Sequence, residues 1–89
     1  MKIHNLKQTC EAWPSQWEGN LEDGRMVYVR YRWGRLSVMA SHEPSDDVDD
    51  ALEGEEIFRK CLDEEAWDGV LDQDKMLETA GMEVEDGGQ

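Results

Sequence analysis

Two successive rhythms of apolar residues run along this chain. Between Arg25 and Arg32, Val27, Val29 and Tyr31 occupy one parity and Tyr28, Arg30 and Arg32 the other. That is the two-residue period of a half-buried strand. Gln16 to Leu21 and Arg35 to Ala40 carry the same alternation. Glu22-Asp23-Gly24 suits a three-residue hairpin loop, with Gly24 in the left-handed position, and Trp33-Gly34 reads as a two-residue turn. Pairing across that turn sets Tyr31 opposite Leu36, Val29 opposite Val38 and Val27 opposite Ala40. The longer loop then adds Trp17, Gly19 and Leu21 to the same face. Two independent turns agree on one register, because a slip of one residue would turn every side chain to the wrong side. The opposite face carries Tyr28, Arg30, Arg32, Arg35, Ser37 and Met39.

The period changes from residue 41. Ser45 is a candidate N-cap, with Asp46 and Asp47 in a first turn where the helix dipole favours anions. Val48, Ala51 and Leu52 follow at helical spacing, up to Gly54. Ile57, Phe58, Cys61, Leu62, Ala66, Trp67, Val70 and Leu71 continue it. Asp72 caps a last segment holding Met76, Leu77 and Ala80, with Gly81 as its stop. Pro14 ends any helix in residues 1–14, which carry no clear period. The pattern predicts an α+β domain over residues 1–82: a three-stranded antiparallel meander followed by two or three short acidic helices packed on one sheet face. Residues 83–89 are expected to form a flexible acidic tail.

Charge sharpens this division. The 89 residues carry 22 Asp and Glu against 9 Lys and Arg, a net charge of −13. Residues 1–40 hold six bases and four acids, whereas residues 41–89 hold three bases and eighteen acids. The acids are placed rather than spread. A strongly acidic chain is repelled by phosphate backbones and anionic bilayers, so the expectation is no direct nucleic acid and no membrane. A basic protein surface is the favoured partner, reached by long-range steering. No apolar stretch in residues 1–16 suits a signal peptide, and no window nears a membrane span. The expected location is the host-cell cytoplasm, with Cys10 and Cys61 reduced.

Chemistry-bearing motifs are sparse. The run Asp46-Asp47-Val48-Asp49-Asp50 fails the calcium-loop pattern, since Ala51 and Leu52 fall where an acid and a glycine are required. His4, Cys10, His42 and Cys61 lack the close-pair spacing of a zinc site. Nothing in the sequence activates either thiol as a nucleophile. No cofactor, metal or catalytic residue is assigned, and the chain reads as a non-enzyme.

Two surfaces are therefore the candidates. One is acidic: Asp46, Asp47, Asp49, Asp50, Glu55, Glu56, Glu64 and Glu65, where rows of carboxylates on neighbouring helices would approach the charge spacing of a duplex. The other is the hairpin face of Tyr28, Arg30, Arg32 and Arg35. In size and charge the chain resembles the small acidic inhibitors encoded by phages and mobile elements, including DNA-mimic anti-restriction and anti-CRISPR proteins. That resemblance implies an inhibitor whose acidic half occupies the basic nucleic-acid channel of a CRISPR or restriction complex. Pro14-Ser-Gln-Trp-Glu-Gly19, Asp23-Gly24-Arg25 and Tyr28-Val-Arg-Tyr-Arg-Trp-Gly34 are similar to small phage and bacterial proteins with no activity to carry over. The competing expectation is a structural or adaptor module that forms a homodimer or binds a protein through the basic hairpin face.

Overall fold

The computed structural model describes residues 2–10, 15–32, 34–61 and 72–84. The element order is β1 (Lys2–Cys10), β2 (Ser15–Leu21), β3 (Arg25–Arg32), β4 (Arg35–Pro44), α1 (Val48–Leu52), β5 (Glu55–Cys61), α2 (Gln73–Ala80) and β6 (Glu83–Val84). All six strands join one curled sheet in the order β5-β4-β3-β2-β1-β6. Every pairing is antiparallel except β1 with β6, which is parallel.

The sheet corrects the expected architecture. Among the described residues 63% lie in strands and about 19% in two short helices, so the fold is mostly β rather than a meander followed by two or three helices. The three central strands do take the register read from the sequence: Trp17 faces Val29, Gly19 faces Val27, and Val27, Val29 and Tyr31 face Ala40, Val38 and Leu36. Gly24 closes the first loop at φ 90° and Gly34 the second at φ 75°; Trp33 lies outside the described residues.

Residues 55–61, expected at the head of a helix, form strand β5 against β4 instead. A register shift between Val38 and Met39 leaves one extra residue on β5. Consecutive Ile57 and Phe58 can then both lie against the core, which is what a bulge does to a strand. The rest of the expected helical run, Leu62 to Leu71, lies outside the described residues. Residues 2–10 form β1, irregular between His4 and Lys7 and again between Gln8 and Cys10, with Asn5 at φ 56°. Glu83 and Val84, assigned by the sequence to a tail, pair with Lys2 and Ile3 respectively as β6.

The core occupies one sheet face. Trp17, Val27, Val29, Leu36, Val38 and Ala40 are fully enclosed, joined by Ile3, Leu21 and Tyr31. Met76 and Ala80 of α2 and Met82 after it complete this cluster. Asp72 caps α2 by accepting from the Asp74 amide at 3.1 Å. Gly81 ends it in the left-handed region at φ 69°. The amides of Met82 and Gly81 return to the carbonyls of Leu77 and Glu78 at 2.8 and 3.3 Å, a Schellman ending. No helix among the described residues is long and apolar enough to cross a membrane.

Candidate functional site

The alternation that buries Val27, Val29 and Tyr31 necessarily sends Tyr28, Arg30 and Arg32 to the other side of the sheet. Across β4 these meet Met39, Ser37 and Arg35. The register continues onto β5, where Ser37 faces Arg59 and Arg35 faces Cys61. Two rows result: Arg30, Ser37 and Arg59 across three strands, and Arg32, Arg35 and Cys61 beside it. Arg30, Arg32, Arg35, Ser37, Glu56 and Arg59 line an open recess of about 220 Å³.

This face joins residues that sequence reasoning grouped with one that it missed. Arg30, Arg32 and Arg35 were legible from the hairpin. Arg59 was hidden by the helical reading of residues 55–61, although Ile57 and Phe58 directly after Gly54 also suit a strand opening at a breaker. Among the described residues the one carboxylate lining the recess is Glu56, whose Oε1 lies 3.0 Å from Arg59 Nε. Arg30 Nε is buried and meets no hydrogen-bond acceptor among the described residues.

Tyr28 borders the same face. Desolvation by burial pushes its phenol above the ordinary value of 10.0. The Arg30 charge and a hydrogen bond with the Gln16 side chain pull the other way, and Cys10 and Glu18 add to the rise.

The acidic set divides in three. Asp46, Asp47, Asp49 and Asp50 gather at α1, all exposed. The cap is Asp47, two residues later than the expected Ser45 cap, and its side chain accepts from the Asp49 amide at 3.0 Å. Ser45 instead donates its hydroxyl to Asp50 and accepts from the Asp47 amide at 3.0 Å. This corner is tied to the hairpin. The Ser45 amide donates to the Gly24 carbonyl at 3.0 Å, and Asn20 Nδ2 donates to the Ser45 carbonyl at 2.9 Å. Ser41, His42, Glu43, Pro44, Asp50 and Glu53 line a second recess of about 310 Å³ there.

Glu55 and Glu56 lie on β5, not on a helix, and each is engaged by an arginine. Arg25 donates to Glu55 at 3.0 Å and, through Nε, to the Ser41 carbonyl at 2.6 Å. Glu56 takes Arg59. Glu64 and Glu65 lie outside the described residues. Among the described residues the acids therefore do not form rows on two neighbouring helices.

Cys10 is half-buried on β1 and Cys61 exposed on β5, with three strands between them. No family model, no curated protein and no solved structure matches the chain.

Proposed function

We propose that this protein is a non-enzymatic binding module that takes an acidic protein partner through the sheet face bearing Arg30, Arg32, Arg35 and Arg59. The observation that carries this reading is the registered alignment of four guanidinium groups from three adjacent strands on one open face. Strands hold side chains more firmly than loops do, and arginine presents a planar fork matched to carboxylates. A surface rich in arginine, in a chain of negative net charge, gives an orientation to any encounter.

A second reading keeps the acidic end as the working surface, an inhibitor that binds a basic surface on a nucleic-acid-handling protein of the CRISPR or restriction kind. Asp46, Asp47 and Asp49 favour it, because they are exposed together and no lysine or arginine pairs with them among the described residues.

Charge reversal separates the two. Arg30→Glu with Arg32→Glu and Arg35→Glu is expected to abolish capture of host proteins by the tagged chain, while Asp46→Lys with Asp47→Lys and Asp49→Lys leaves it intact. The opposite pattern overturns the first reading in favour of the second. Loss of self-association in the arginine variant alone, followed by solution mass at low and high salt, would identify the partner as a second copy.

A further inference from the structure

Strand β5 carries an order of residues that is complementary to itself. It stands at one end of the strand order among the described residues, beside β4. Glu55, Glu56, Arg59, Lys60 and Cys61 on it are exposed, and Ile57 and Phe58 are half-buried. Its first six residues run acid, acid, apolar, apolar, base, base. Turned end for end against a copy, the segment sets Glu55 against Lys60, Glu56 against Arg59 and Ile57 against Phe58.

Charge order alone does not make a strand its own partner, because the faces must agree as well. Two antiparallel strands related by a two-fold axis normal to the sheet keep their faces, so opposed residues must lie on one side. In an uninterrupted strand, residues 55 and 60 are an odd number of steps apart and point to opposite faces, which forbids this register. The bulge removes the conflict. Glu55, Phe58 and Lys60 stand opposite Ala40, Val38 and Leu36 on the core side, and Ile57 also packs against the core. Glu56 and Arg59 stand opposite Met39 and Ser37 on the other side. The succession of faces is therefore symmetric about the midpoint of Ile57 and Phe58, as the succession of charges is. A slip of one residue in either direction sets core-side residues against residues of the opposite face.

We propose that a second copy of this chain pairs along β5 in that register, giving a two-fold dimer with one continuous sheet. Charged side chains and a bulge on an edge strand discourage pairing with other chains. Here they admit one partner, since opposite charges facing across strands stabilise a pair and like charges destabilise it. Glu56 and Arg59, joined at 3.0 Å within one chain, meet their copies across the axis as four alternating charges. Glu55 accepts from Arg25 at 3.0 Å through Oε1, and a carboxylate has a second oxygen to offer Lys60 of the second copy. The axis leaves both arginine faces on the same side of the sheet, so the inference goes beyond the acidic-partner reading and does not depend on it.

The test begins with the solution mass of the full chain over about a hundredfold range of concentration, since a dimer follows mass action. A rise from one copy to two is expected. Glu56→Arg alone and Arg59→Glu alone are each expected to weaken dimerisation about tenfold or more, because the symmetry repeats every like-charge contact. Mixed in equal amounts, these two variants are expected to regain a dimer of unlike copies, a recovery that a purely intrachain role for the pair does not give. A nitroxide on the exposed Cys61 of the Cys10→Ser chain measures the register. Residue 61 falls opposite residue 54 of the second copy, so the two labelled positions lie about 23 Å apart along the strands.

A mass that stays at one copy throughout overturns the proposal. So does a failure of the mixed variants to associate when each is folded, or a label separation far from that distance. If either variant fails to fold, Glu55→Lys mixed with Lys60→Glu repeats the exchange, and the label measurement needs neither. Failure here leaves the acidic-partner reading standing, and loss of partner capture without loss of the dimer separates the two in the other direction.

Discussion

Trp17 is wholly enclosed where β2 crosses the centre of the sheet, and its indole N–H meets no acceptor among the described residues. Trp17→Ala leaves a large void and is expected to cost about 3–5 kcal/mol. Trp17→Phe keeps most of the ring volume and removes the buried donor, so its urea midpoint should lie much nearer that of the parent. Tyr28 gives a pH signature of a different kind. Its phenol is raised above 10.0, chiefly by desolvation, so the folded chain holds the proton longer than the unfolded one. The associated stability is complete below the unfolded value and is lost as pH rises from there through the folded value. Urea midpoints measured on either side of pH 10 should fall on the alkaline side, and Tyr28→Phe should flatten that fall.

At the scale of elements, two glycines make a controlled comparison. A Cβ on Gly54 would sit 1.9 Å from the Ala40 carbonyl oxygen, so the junction from α1 to β5 has no room for a side chain. A Cβ on Gly81 meets nothing within 4 Å, but φ is +69°. Gly81→Ala should therefore cost about 1–2 kcal/mol, the strain of a left-handed L-residue alone. Gly54→Ala should cost more, because backbone must move, and should perturb amide signals on both α1 and β5. The same elements mark where sequence reasoning succeeded. Val27, Val29 and Tyr31 alternate without interruption, so their strand, its neighbours and the arginine face were legible. Ile57 and Phe58 were not, because the bulge lets two consecutive residues lie against the core and so imitates a helical stripe. Lys2–Cys10 escaped for a related reason: its two irregularities and the left-handed Asn5 destroy the period on which a strand is recognised. Arg59 was lost together with β5, and the arginine face was seen with three of its four cations. Glu55 and Glu56 were expected on a helix by the same misreading, whereas they lie on β5.

For the molecule as a whole, the charge is the governing term. Lys2 pairs with Glu22, Arg25 with Glu55 and Arg59 with Glu56, but the chain carries 22 acids against 9 lysines and arginines, so most of its carboxylates have no cation to meet. Self-repulsion therefore opposes the compact state, and salt screens it over about 10 Å at 0.1 M. Raising sodium chloride from about 0.01 M to 0.5 M should increase the thermal midpoint, and a fall would show that the ion pairs outweigh the repulsion. Asp46→Lys should raise stability at low salt as well, since it relieves part of that repulsion and leaves the Asp47 cap of α1 in place.

Five of the six strands are arranged so that each lies beside the one synthesised just before or after it, and only β6 reaches back, laying Glu83 and Val84 along Lys2 and Ile3. A growing chain can zip its hairpins in order as each leaves the ribosome, with loops closed over few residues. The first strand alone must wait until residues 83 and 84 have been made before they can pair along its second edge. During that interval the edge of Lys2–Cys10 is open to other nascent chains, and its two lysines and broken hydrogen-bond ladder are the features that make it a poor template for aggregation.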